Sequence, residues 1–492
     1  MTIETRAYIA GIWREGSGAQ IESINPFDGS VAARLHQCTA ADVEEAVEAA
    51  RLAQREGEWA RLLPHERARV LHRVGEAIER EADAISALQT LDTGKTLTET
   101  RALAMSAAGT FRYFAAALET LEDTLTPPRG PYVTMSVHEP MGVIGAIAPW
   151  NSPVASDAQK LAPALAAGNG VVLKPAEWTP LVSLKLAGIL ESCGIPAGLV
   201  SVLPGPGREV GEAIVTHPHV AKVSFTGGTS TGRHIAARAA AKLMPVSLEL
   251  GGKSPTIVFE DADIDQAVAG ILFGIFSSSG QSCIAGSRLF VARPIYASFM
   301  KRLLAATAKL PIGDPRDPAT RVAPLVAFRH RDSVARFADE AQEAGGRLLT
   351  GGCAPTGGIY DAGAFYRPTV FDEVPHDAAI LREEVFGPVL VALPFDDEDD
   401  LVRQANDSVY GLACGLWTRD ATRAWRVARR IEAGTVWINT YKQFSISTPF
   451  GGWKESGMGR EKGREGIRGY MNQKSLYWAT DSAPLPWGAG CL

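Results

Sequence analysis

Four short apolar runs, at residues 143–147, 170–173, 199–203 and 221–225, each lead into a turn and then into a helical stretch. Runs of this length suit strands, and strands that alternate with helices pair in parallel because each helix carries the chain back across the sheet. The spacing therefore predicts a doubly wound α/β domain. Dinucleotides bind at the carboxyl edge of such sheets, so the turns after these runs are where binding groups are expected.

The same alternation returns over residues 254–450, with strand-like Thr256-Ile257-Val258-Phe259 and Gly434-Thr435-Val436-Trp437-Ile438-Asn439. This predicts a second α/β layer. Residues 41–122 instead read as helical, Ala-rich with apolar positions three and four apart. Three prolines at 127, 128 and 131 exclude a helix from the next stretch, and its β-prone tail reads as an exposed strand pair. Residues 469–478 resemble a partner for it, and an exposed edge of this kind invites pairing with another subunit. A chain of 492 residues exceeds one hydrophobic core, and length alone favours roughly three domains.

Apolar residues make up 46% of the chain and charged ones 21%, an ordinary globular balance. The net charge of −6, with the signs interspersed, leaves no electrostatic footprint for nucleic acid. The N-terminus lacks the pattern of a signal peptide, and apolar runs stop well short of the roughly twenty residues that span a bilayer. A soluble cytoplasmic protein with no membrane partner is expected. The six cysteines show neither metal-ligand spacing nor a disulfide framework, so no metal is expected. Cys38, Cys193, Cys353, Cys414 and Cys491 read as apolar filler.

Cys283 reads differently. It lies in Gly280-Gln281-Ser282-Cys283-Ile284-Ala285-Gly286-Ser287-Arg288, a run of small residues that leaves space around the sulfur. Upstream, Glu249 stands between leucines in Leu248-Glu249-Leu250-Gly251-Gly252-Lys253-Ser254-Pro255. Burial of that carboxylate raises its pKa toward the range of a general base. A thiol and a base, both beside glycines, suggest covalent catalysis. About one cysteine thiol in thirty is ionised at neutral pH unless its site intervenes. Backbone amides and a nearby positive charge are expected to stabilise the Cys283 anion.

These two segments, with further matches from Trp13 to Tyr470, resemble the signatures of the NAD(P)-dependent aldehyde dehydrogenases. The resemblance implies an aldehyde-dehydrogenase-like α/β fold with two Rossmann-like domains and a small β oligomerisation arm. Residues 1–122 and 142–253 would bind NAD, 254–455 would form the catalytic domain, and 123–141 with 456–492 the arm of a homodimer or homotetramer. It implies that Cys283 attacks an aldehyde carbonyl and that Asn151, in Trp150-Asn151-Ser152-Pro153, forms the oxyanion hole with the Cys283 amide. Hydride transfer then leaves a thioester that Glu249 hydrolyses through water.

Two glycine clusters compete for the phosphates, Gly205-Pro206-Gly207-Arg208-Glu209-Val210-Gly211 and Phe225-Thr226-Gly227-Gly228-Thr229-Ser230-Thr231-Gly232. The second follows a strand and opens a helix, where backbone N–H groups meet an anion at the positive helix end. The resemblance favours that loop. Many relatives carry Ser after Phe-Thr-Gly, so Gly228 removes a hydroxyl and leaves backbone donors, a looser phosphate contact.

Lys174 and Glu177 match the segment that holds the adenine ribose, although alone they read equally as solvated charges after a buried strand. A carboxylate there repels a 2′-phosphate, which favours NAD over NADP. Glu384 and Phe386 match the nicotinamide-ribose contact, with a surface salt bridge as the plain alternative for the acid. Ala148, Trp150, Gly207, Phe225, Gly227 and Leu250 complete the implied cofactor site.

Relatives that take small aldehydes narrow the tunnel with aromatic residues, where this chain has Ser152, Ala155, Ser156 and Gln159. A wider, more polar pocket follows, suited to a bulky, aromatic or functionalised aldehyde. Phe444 is expected as an aromatic wall, and Lys442, near the mouth, reads as a solvated surface charge more readily than as an anion reader. An acyl transferase or esterase using the same thiol, and a catalytically silent structural protein, stand as alternatives. Glu249 argues against transfer to coenzyme A, and the intact residue set argues against silence.

Overall fold

The computed structural model describes residues 3–482, 485 and 487. Its first sheet has eight strands in the order Ile12–Arg14, Ala7–Ile9, Val200–Val202, Gly170–Lys174, Val143–Ile147, Val220–Thr226, Val246–Glu249 and Gly457–Met458. The strands from Val200–Val202 to Val246–Glu249 run parallel. From Val143–Ile147 the chain winds outward to Val200–Val202, then returns to lay Val220–Thr226 on the other side of its starting strand. That reversal opens a crevice beyond Ile147 and Thr226.

Period-two alternation decides which face each strand residue covers. Ile144, Ala146, Val171 and Leu173 join Phe111, Phe114, Leu161 and Leu165 in one core. Val143, Ile147, Val172 and Val223 join Val43, Val47 and Ile235 in another. Both faces are covered, which is why these strands are apolar throughout. A Cβ on Gly145 would lie 2.4 Å from Ile214, so the strand needs glycine there for its covering helix to approach.

The second sheet runs Arg347–Thr350, Thr369–Asp372, Val389–Phe395, Arg288–Ala292, Pro255–Val258, Ala413–Trp417, Thr435–Ile438, and is parallel except for its first pair. Met471–Ala479, Tyr132–Pro140 and Thr124–Thr126 make a separate antiparallel sheet, with Met471 opposite Pro140 and Ala479 opposite Tyr132. Leu125, Tyr477 and Trp478 on it are exposed.

The helical stretch is broken where local chemistry demands it. Pro64 opens the helix Pro64–Arg80, left-handed Gly94 ends Ala82–Thr93, and Thr96 caps Leu97–Glu119 by accepting from the Glu99 amide. The strands before residue 37 were not expected, and Ala7–Ile9 extends the first sheet with Tyr8 opposite Val202. Cys38, Cys193 and Cys414 are buried, but Cys353 is exposed and fills no core. Cys491 lies outside the described residues. Among the described residues no helix is long and apolar enough to cross a membrane.

Candidate active site

A cavity of about 770 Å³ occupies the crevice. The turns after the first sheet's strands deliver Ala148, Trp150, Asn151, Lys174, Glu177, Gly207, Gly227, Gly228 and Leu250 to its wall, together with Phe225 and Glu249, while Cys283, Glu384 and Phe386 close it from the second layer. The structure thus brings together every residue expected for catalysis and cofactor contact. Ser152, Ala155, Ser156, Gln159 and Phe444 do not line this cavity.

At one end, the Lys174 ammonium donates to the Pro175 carbonyl at 2.9 Å, and burial pulls its pKa down to about 8. Glu177 is exposed and accepts from the Gly207 amide at 2.6 Å. Gly207–Gly211 is a wide helical turn rather than an open phosphate loop. Gly228 instead caps the helix Thr229–Ala240, and a Cβ placed on it meets nothing within 4 Å. The helix end therefore faces open space, as an anion site requires.

Nearer the centre, Phe386 takes a left-handed backbone (φ 56°) and sets its ring edge-on to Trp150, centroids 5.0 Å apart. His330 Nε2 donates to the Phe386 carbonyl at 2.8 Å, which holds that turn. Glu384 accepts from the Gly252 amide at 3.0 Å, and burial pushes its pKa up to about 7. A Cβ on Gly251 would stand 2.5 Å from this carboxylate, and one on Gly252 would stand 2.3 Å from the Cys283 carbonyl. The two glycines let Glu384 and the cysteine loop share one strand end.

The loop before the nucleophile is strained and pinned. Ser278, Ser279 and Gly280 are all left-handed, with φ of 56°, 54° and 74°. Such backbone costs about 1–3 kcal/mol per non-glycine residue and persists only where neighbours fix it. Here Glu99 accepts from the Ser278 amide at 2.5 Å, Ser279 Oγ donates to the Ala323 carbonyl at 2.6 Å, and Gln281 Oε1 accepts from the Val326 amide at 2.8 Å. Asn151 Nδ2 donates to the Gln281 carbonyl at 3.2 Å, using one of its two amide protons beside the cysteine.

The Cys283 thiol is not activated by these surroundings alone. Burial and the charges of Glu384 and Glu249 push its pKa up to about 12, against a smaller opposing pull from Lys442. The backbone amide of Cys283 favours the anion as expected, but burial and the two carboxylates outweigh it. Glu249 itself ends the strand Val246–Glu249, is 5% exposed, and neither carboxylate oxygen has a hydrogen-bond partner among the described residues. Burial first, then the nearby Glu461, raises its pKa well above the ordinary value.

Glu461 accepts from Lys160 at 2.9 Å, and Lys160 also donates to Ser224 and Thr226. Sequence reasoning missed this buried pair because its members stand 301 positions apart. It also misplaced Lys442. The ammonium donates to Ser277 Oγ at 2.9 Å, at the start of the nucleophile loop, and burial pulls its pKa down to about 7. It is half-buried and hydrogen-bonded rather than a freely solvated charge.

Ser152, Ala155, Ser156 and Gln159 fall at the start of the helix Pro153–Ala166 directly after Asn151, with Ser152 and Ser156 hydroxyls 2.9 Å apart. Phe444 is half-exposed, edge-on to Trp437 and Phe450 at 5.5 Å. Lys462, which couples electrostatically to Cys283, stands 4.1 Å from the Phe444 ring centroid.

Residues 13–476 match the model of the aldehyde dehydrogenase family. The chain belongs to that family. A Burkholderia cenocepacia protein assigned to the aldehyde dehydrogenases shares 40% identity with it, over 99% of both chains, at a TM-score of 0.96. The Bacillus cereus aldehyde dehydrogenase in its NAD+ complex shares 37% over 97% of each chain at 0.95. Betaine aldehyde dehydrogenase of Staphylococcus aureus, also solved with NAD+, shares 36% over 99% of this chain and 96% of its own at 0.97. Aldehyde dehydrogenase membership accounts for a thiol, a carboxylate and a dinucleotide-sized cavity in one crevice.

Proposed function

We propose that this aldehyde dehydrogenase oxidises its aldehyde to the carboxylic acid with NAD, through a covalent bond to Cys283. The observation that carries the reading is that Cys283, Glu249 and Asn151 line the same cavity as the open helix end at Gly228. The residues fit that cofactor. The open helix end at Gly228 takes its phosphates, Lys174 and Glu177 its adenine ribose, and Glu384 its nicotinamide ribose, and the volume falls in the range of about 300–1,000 Å³ usual for such sites. When bound, NAD supplies the hydride acceptor.

The chain's own residues do the rest. The Cys283 sulfur, its proton passed to water, bonds to the aldehyde carbon. The amide of Asn151 and the backbone N–H of Cys283 hold the resulting oxyanion. Loss of the hydride leaves a thioester, and Glu249 takes a proton from water as its oxygen attacks the acyl carbon. The acid leaves, and the sulfur is free again. Glu249 is suited to this because it is unpaired and its affinity for a proton is raised.

The small side chains after Asn151 support a bulky, aromatic or functionalised aldehyde. We further read residues 1–122 with 142–253 as the NAD-binding unit, 254–455 as the catalytic unit, and 123–141 with 456–492 as the oligomerisation arm, in a cytoplasmic enzyme. Reduced-nicotinamide absorbance with a panel of aldehydes, given NAD or NADP, tests the function. NAD-dependent oxidation with Cys283→Ala inert is expected, and Glu177→Gln should raise the use of NADP relative to NAD. Failure to oxidise any aldehyde contradicts the proposal, and equal wild-type efficiency with both cofactors contradicts the role of Glu177.

A further inference from the structure

We propose that the substrate is an aldehyde bearing a carboxylate at its far end, and that Lys442 receives that carboxylate. The inference rests on the aldehyde-oxidising reading above and names its substrate class.

The charges around the nucleophile loop carry it. Lys442 bonds Ser277, lies over the Phe273 ring at 5.8 Å, and acts electrostatically on the Cys283 thiol. Its ammonium is half-buried and held at the start of the nucleophile loop. Lys95 is 3% exposed, its ammonium has no hydrogen bond or ion pair among the described residues, and it is near enough to repel Lys442. Lys462 stands on the aromatic side, over the Phe444 and Phe450 rings.

The acid that faces Lys442 and Lys95 is Glu99, and its oxygens are already engaged. One accepts from the Ser278 amide, the other from the amide and hydroxyl of Thr96. Lys95 and Lys442 thus stand beside the cysteine loop with one carboxylate, Glu99, between them, whereas Lys462 has Glu461 and Glu249 near it. Buried charges are costly unless paired, so a neutral substrate would leave this cost standing. A carboxylate would relieve it. Lys442 spends one N–H on Ser277, and the two that remain match the two oxygens of a single-charged planar anion.

The test compares matched pairs: 4-carboxybenzaldehyde with benzaldehyde, succinic semialdehyde with butanal, and adipic semialdehyde with hexanal. Wild type should favour at least one carboxylated partner by tenfold or more in kcat/KM. Lys442→Met should lower kcat/KM for that substrate by about 30-fold or more, mainly through KM, since truncating one side of a buried charge pair costs at least that much. The loss for its neutral partner should be at least tenfold smaller, and Lys442→Arg should keep the preference. Rates of Cys283 alkylation by iodoacetamide give a readout independent of turnover. If Lys442 served the thiol instead, alkylation and both substrate series would slow together, and the proposal would fall. Brisk wild-type oxidation of the neutral aldehydes with no carboxylate preference overturns this inference alone. Inertness toward every aldehyde overturns the reading beneath it.

Discussion

Glu249 concentrates the chemistry in one side chain. A carboxylate with both oxygens unpaired, buried beside Glu461, holds its proton more tightly than usual. It is a base only when ionised, so thioester hydrolysis should be fast above its raised pKa and fade as pH falls through it. Glu249→Gln should cut steady-state turnover by about 10²–10⁴-fold and flatten that acidic limb, while sparing the first hydride transfer more. Rapid-quench data with a slowed first turnover and normal hydrolysis would contradict the role. Cys283 and Glu249 were legible in the sequence because reactive groups stand out among small and apolar neighbours. Lys442 was not, because its partner Ser277 lies 165 positions away along the chain.

The element that matters most is the turn leading to the nucleophile. A Cβ on Gly280 would lie 2.0 Å from the Gly387 carbonyl, and its φ of 74° disfavours any other residue. Gly280→Ala should therefore displace Cys283 and lower kcat/KM by about 10²-fold, the cost of a misplacement near 1 Å. Wild-type activity in that variant would show that the turn does not set the thiol. Parallel strands were readable from their length and apolarity, since both faces are buried. The strands Ala7–Ile9 and Ile12–Arg14 were not, because three residues carry no periodicity and their place is set by pairing with Val202, far along the chain. The Lys160 and Glu461 pair is hidden for the same reason: separation along the chain conceals contact across the fold.

At the scale of the whole molecule, two largely parallel sheets bound the cavity, and a separate antiparallel sheet leaves the outer edge of Met471–Ala479 unpaired among the described residues. Leu125, Tyr477 and Trp478 on it are exposed at 70%, 71% and 71%, an apolar surface that a monomer rarely leaves open. Sedimentation of the wild type should give a dimer or tetramer, and Tyr477→Lys with Trp478→Lys should yield a smaller species. An unchanged assembly in that double variant would remove the arm from the interface. The account stands on the covalent bond to Cys283, which mass spectrometry tests most directly. Glu249→Gln mixed with NAD and benzaldehyde, then acid-quenched within one turnover, should carry a benzoyl group on the peptide containing Cys283, in step with reduced nicotinamide. Reduced nicotinamide without that adduct, or an adduct on another residue, would contradict it.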